Sequence, residues 1–345
     1  MTVLTLFSGN ASRKLAEGVA EALDGATLAP AKVGSFANGE TSVSVGVSVR
    51  EADVFVIQSG VGDVDTNDAI MEMLILANAS RIASAQRVTL VVPYFPYGKQ
   101  NKIKKRGAVP ARLVADMMKV AGAQHVITVD LNPAQMSGFF QVPVDNIMLW
   151  PLMTQYITSK VPDYQSCVFV AKNAGASKRA DRLGKLLGMD IAMVIDRSHE
   201  DDFEVPASPT RPRTDSFNEK AGEVAFKSGN IIGKVKGRCC ILVDDVLDAS
   251  NSFVAAATAL RTAGASRVII MVTHGVMSGN CPKEIQDCPT INEVVVTNTV
   301  PQEKHQEICP KLTVIRCESV LAETIRRVHN DECMTSKFST QLQLA

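Results

Sequence analysis

The residues with the clearest chemical capacity are three carboxylates in the stretch ILVDDVLDASNS: Asp244, Asp245 and Asp248. Residues 241–246 are aliphatic and β-branched apart from the acid pair, which predicts a buried parallel strand. Small and apolar residues then repeat at helical spacing over 253–260, with a turn at 247–252 between them. Paired acids at a strand end can simply solvate a loop. Asp248, however, lies just before a helix start, where free backbone N–H groups and the helix dipole attract anions. Ligands of open α/β sheets bind at the carboxyl ends of strands, so these acids stand where a ligand would stand.

A second chemical stretch follows the buried strand expected at 87–92. There YFPYGKQNKIKKR carries five basic residues between 99 and 106, and Pro93, Pro96 and Gly98 forbid regular structure. A basic loop at a strand's carboxyl end suits polyphosphate. A third is the turn Asn173, Ala174, Gly175, Ala176. The five histidines are dispersed and none falls at metal-ligand spacing with another; His274, at a strand end, reads as a hydrogen-bonded core histidine.

These stretches need a scaffold, and the periodicity supplies one. In the first half, strands are expected at 2–7, 41–49, 53–58, 87–92 and 126–131, helices at 12–23, 65–79 and 108–121, and an aperiodic link at 138–146. In the second, strands are expected at 167–171, 191–195, 241–246, 268–273, 293–297 and 311–315, and helices at 151–160, 177–187, 253–260 and 318–327. Strand-helix alternation of this kind predicts an α/β chain with doubly wound halves, residues 1–147 and 148–330. Pro206, Pro209 and Pro212 punctuate a polar run at 196–229, which reads as a flexible surface insertion.

Lys plus Arg number 36 and Asp plus Glu 36, so bulk charge points neither to nucleic acid nor to an anionic membrane. One Trp and four Tyr leave little surface for stacking on bases. No apolar run approaches the ~20 residues of a membrane span, and the opening MTVLTLFSGN lacks a signal pattern. A cytoplasmic protein is expected. The eight cysteines show no C-x-x-C pair or zinc spacing and read as reduced apolar fillers.

The stretch 241–252 resembles the phosphoribosyl pyrophosphate signature of the type I phosphoribosyltransferase fold: two acids, two residues, then Asp-Thr-Gly-Gly-Thr. FANGE, VVPYFPYGKQNK, VDLNPAQMSGFFQVPVDN, the Asn173 turn, VDDVLD, THGVMS and VVVTNTVP are similar, in that order, to a ribose-phosphate pyrophosphokinase. The resemblance implies two similar domains of that fold. It also implies transfer of the β,γ-diphosphoryl group of ATP to the 1-hydroxyl of ribose 5-phosphate, with Mg2+, in oligomers that share the ATP site between subunits. By the same resemblance, Asp244, Asp245, Asp248, Ser250, Asn251 and Ser252 would bind ribose 5-phosphate. Phe36, Asn38, Glu40, Lys99 and Gln100 would bind ATP, Phe36 by stacking on adenine, and Asp130 would help hold the metal. Asp145 and Asn146 match positions of an effector region between subunits.

The chain departs from the family's pattern where ligands touch it. Asn132 replaces a magnesium-binding His, Asn173 replaces an Asp, and Lys99 replaces an Arg, losing a bidentate fork. Asp196 to His199 stand where a basic catalytic loop is expected, and residues 249–252 contain no glycine. Each lost cation or metal ligand is worth roughly 3–4 kcal/mol of transition-state stabilisation in diphosphoryl transfer. An intact scaffold with a stripped site implies a regulatory subunit, most similar to the phosphoribosyl pyrophosphate synthetase-associated proteins. Such a subunit would join catalytic subunits in a hetero- or homo-oligomer and act in phosphoribosyl pyrophosphate supply for nucleotide biosynthesis. The alternative is an active diphosphokinase with a rearranged site, in which Lys102 or Lys104 replaces the missing cations.

Overall fold

A computed structural model describes residues 2–23, 25–103, 106–195 and 231–334. The expected insertion at 196–229, with Asp196, lies outside the described residues, as does Lys104.

In the first lobe the β-branched runs become β1 (Leu4–Ser8), β4 (Asp53–Ile57), β5 (Arg87–Val92), β6 (His125–Val129) and β7 (Val144–Ile147), a parallel sheet in that order. Between the first two lies an antiparallel hairpin of β2 (Ala31–Ser35) and β3 (Thr41–Val45). Helices α2 (Thr66–Ile82) and α3 (Pro110–Ala121) cover one face over Phe7, Met73, Leu90 and Met118. Helix α1 (Arg13–Ala22) packs on the other. The stretch expected as an aperiodic link ends in β7. Half of β7 is polar, so it shows no alternation, but those polar groups tie it to its neighbour: Asn146 Oδ1 accepts from the Leu131 N–H at 2.9 Å, and Asp145 lies 3.0 Å from His125.

The second lobe follows α4 (Trp150–Lys160). Its strands are β8 (Val168–Ala171), β9 (Asp190–Val194), β10 (Ile231–Ile232), β11 (Cys239–Leu247), β12 (Arg267–Gly275), β13 (Glu293–Thr297) and β14 (Leu312–Ile315), and its interleaved helices are α5 (Ser177–Leu187), α6 (Asn251–Thr262), α7 (Cys281–Asp287) and α8 (Glu303–Ile308). The sheet order is β10-β9-β8-β11-β12-β13-β14, parallel except for β10 against β9. Strand order reverses between β8 and β11, and such a switch point opens a crevice at the strands' carboxyl ends. The last helix, α9 (Glu318–His329), crosses back to pack on α1, with Leu321 and Ile325 among Leu6, Leu15 and Phe55.

The carboxyl ends of the two sheets face each other. Ser59, after β4, donates to the Thr299 carbonyl after β13, and His274 at the end of β12 lies 3.2 Å from the Val129 carbonyl of β6. Among the described residues no helix is long and apolar enough to cross a membrane.

Candidate functional site

Parallel strands end with their last carbonyls and following loops on one side, so opposing two such edges concentrates polar loop residues between apolar lobes. A cleft of about 240 Å³ results, lined by Tyr94, Lys99, Asp130, Asn132, Asp245 and His274 among others. Lys99, Asp130, Asn132 and Asp245, far apart in the chain, are thus brought together in one cleft. Phe36, Asn38, Glu40 and Gln100 do not line it. The first three sit on the β2–β3 turn, where Asn38 Oδ1 accepts from the Glu40 N–H at 3.2 Å and Phe36 is 59% exposed. Phe36 instead borders a surface hollow with Asn10, Arg13 and Lys32.

Each of the three acids is bonded to a side chain of the same chain. Asp244 Oδ2 lies 2.6 Å from Lys172 Nζ, Asp245 Oδ2 accepts from Asn132 Nδ2 at 2.5 Å, and Asp248 accepts from both Lys99 and Ser278. Lys172 was not foreseen. It follows β8, and only the adjacency of β8 and β11 places it against an acid 72 residues later, so spacing in the sequence carried no signal for it. Its ammonium also lies 4.0 Å from the Phe253 ring centroid, a contact worth ~0.5–2 kcal/mol.

The electrostatics follow from burial and these bonds. Burial pushes Asp244 above the usual carboxylate range, with the charge of Asp245 adding to the rise and Lys172 working against it. Burial also acts to raise Asp245 and Asp248, but hydrogen bonds outweigh it and hold both below that range, Asn132 contributing for the first and Lys99 and Ser278 for the second. The Tyr94 hydroxyl is pushed up to about 12 by burial and then by Asp248 and Asp245, so it stays a donor at neutral pH. His274 is driven down to about 4, chiefly by burial, and its Nδ1 lies 2.8 Å from Thr299 Oγ1. It is the bonded core histidine that the sequence suggested, although one edge of it borders the cleft.

The turn after the acids differs from expectation. β11 runs through Leu247 and α6 begins at Asn251, so the turn is 248–250, and none of residues 248–252 has positive φ. Asn251 is helical. Ser250 is buried and donates to the Glu284 carboxylate of α7. An internal acid therefore stands at the helix start where the resemblance puts a phosphate. Asn173 caps its own short turn, its Oδ1 accepting from the Ala176 N–H at 3.0 Å.

The magnesium implied by the resemblance does not fit these groups. Asp130 is buried between the Thr273 hydroxyl and Arg179, whose Nη1 is 3.5 Å away, and the other acids have the partners given above. Among the described residues no three Asp, Glu, His or Cys side chains are grouped to hold a metal.

Comparison with known proteins finds relatives both by family and by structure. A family described as the N-terminal domain of ribose phosphate pyrophosphokinase matches residues 4–122, and one described as the phosphoribosyl synthetase-associated domain matches residues 163–339. The crystal structure of phosphoribosylpyrophosphate synthetase from Mycobacterium smegmatis superposes with a TM-score of 0.81 at 35% identity, covering 96% of this chain and 100% of that one. The fold expected from the sequence, α/β with two parallel-sheet domains of the type I phosphoribosyltransferase kind, is the fold the chain has.

Proposed function

The chain belongs to the ribose-phosphate pyrophosphokinase family, and from that premise we propose that it is a non-catalytic or weakly active regulatory subunit, joining catalytic subunits of the same fold in the cytoplasm. Its place is in phosphoribosyl pyrophosphate supply, as part of a hetero-oligomer, and it stands closest to the synthetase-associated branch. The observation that supports this reading is the internal closure of the site. Lys172, Asn132 and Lys99 occupy the three acids that a pentose would need, and Glu284 holds the Ser250 hydroxyl at the start of α6.

Diphosphoryl transfer depends on cations and donors aimed at the migrating group, and losing one costs roughly 10²- to 10³-fold in rate. Substitutions at Asn132, Asn173 and Lys99, even if they combine poorly, leave little turnover. The scaffold keeps its two cores, so assembly is retained where chemistry is not. The test is a synthetase assay with ATP, ribose 5-phosphate and magnesium on the isolated chain and on the chain mixed with a catalytic subunit. The expected result is negligible product alone and a changed rate for the partner; brisk product formation by the isolated chain ends this reading.

One observation favours the second reading, an active diphosphokinase with a divergent site: the cleft persists and presents Asp245 and Lys99 together. Under that reading, Asp244→Ala with Asp245→Ala abolishes turnover by the isolated chain.

A further inference from the structure

Lys172 stands where the strand order of the second sheet reverses, and its Nζ is 2.6 Å from Asp244 Oδ2. Both side chains are sunk, 14% and 13% exposed. The ammonium is also 4.0 Å from the ring centroid of Phe253, which is itself buried. A lysine held between a carboxylate and an aromatic face is a fixed positive charge, unlike a surface lysine whose head reaches for water.

We propose that Lys172 is the resident cation of the Asp244–Asp245 pair, and that this acid pair therefore works without a divalent ion. The inference rests on the family reading above but not on the chain being inactive. For magnesium to reach Asp244 it would have to expel the ammonium from its carboxylate and its ring. It would then need an octahedral set of oxygens, of which a protein site usually supplies one or two carboxylates. The other acids do not supply them. Asp245 Oδ2 accepts from Asn132, Asp248 is held by Lys99 and Ser278, and Asp130 lies between Thr273 and Arg179. Lys172, Lys99 and Arg179 moreover present like charge to any arriving cation. The resemblance cast this site as one that had lost cations; the geometry shows one brought in from β8.

The experiment uses the full chain and Mn2+, whose free-ion paramagnetic resonance signal disappears on binding. Wild-type protein is expected to leave the signal unchanged. Lys172→Met keeps most of the stem and removes the charge, leaving Asp244 buried and unpaired beside Asp245. This variant is expected to bind Mn2+ about tenfold or more tightly than wild type, and adding Asp244→Asn is expected to abolish the gain. Thermal melts establish that the variants are folded. A Mn2+ site in wild type that Asp244→Asn removes overturns the proposal, as does a folded Lys172→Met variant with no gain. If Lys172→Met does not fold, the wild-type comparison with Asp244→Asn decides alone. A chain that binds Mn2+ through Asp244 yet makes no product ends this inference and leaves the regulatory reading standing; an active chain silent to Mn2+ does the reverse.

Discussion

At the scale of single residues, the chain turns on how buried polar groups are satisfied. His274 is buried, with Nδ1 2.8 Å from Thr299 Oγ1 and Nε2 3.2 Å from the Val129 carbonyl. Burial lowers it from 6.5 to about 4, against the opposing pull of Asp130 and Asp245. Between those two values the unfolded chain binds a proton that the folded chain refuses. The stabilisation is therefore complete above the unfolded value and drains away as pH falls toward the folded one, by about 3 kcal/mol in all. His274→Gln removes this dependence, so the stability gap between wild type and variant should narrow from about pH 7 to about pH 4 in paired thermal melts, the remaining carboxylates titrating in both. A constant gap over that range contradicts the assignment. The sequence marked Asp244, Asp245, Asp248, Asn132 and Lys99 as site residues, because their types sit at strand ends within family motifs. It did not mark Lys172 or Glu284. Both act through adjacency of elements, β8 with β11 and α7 with the start of α6, and neither adjacency is written in local spacing.

At the scale of elements, long periodic segments were legible and short ones were not. α2 and α3 span three turns or more, enough for an apolar face to repeat, and both fall close to their expected bounds. α7 and α8, with seven and six residues, are too short to show a period, and β7 is half polar. α9 was legible as a helix, but not its address. Its apolar stripe reads the same whether it faces the second sheet or the first, yet Leu321 and Ile325 pack with Leu6, Leu15 and Phe55 of the first lobe. Polar contacts fix the docking: His329 Nδ1 lies 2.8 Å from Asp53, and Arg87, bound to the same carboxylate, donates to the Val328 carbonyl at 2.8 Å. Leu321 has no exposed surface, so Leu321→Ala should cost about 2–5 kcal/mol in urea unfolding, while Ser319→Ala on the exposed side should stay within about 0.5 kcal/mol. A small loss for Leu321→Ala would mean that α9 is not part of the first lobe's core.

At the scale of the whole molecule, two lobes of similar plan meet through the carboxyl edges of their sheets, and the join is polar. Alternation of strands and helices foretold two doubly wound halves, but the relative placement of the halves depends on side chains that pair across the cleft. Asp130 is the clearest of these. It belongs to the first lobe, is 3% exposed, and is met by the Thr273 hydroxyl and by Arg179, both from the second lobe. A buried carboxylate deprived of its cation is costly because water cannot replace the partner, and breaking such a pair typically destabilises by about 3–5 kcal/mol. Thr273 still donates here, and the Arg179 contact is 3.5 Å long, so Arg179→Met should fall at the lower end, at about 3 kcal/mol. Adding Asp130→Asn removes the stranded charge. The double variant should therefore recover a large part of the loss, which a double-mutant cycle of urea midpoints would read as coupling well beyond the ~0.5 kcal/mol of independent sites. If the two losses simply add, the lobes are not joined through this pair, and the cleft between them would need another clamp.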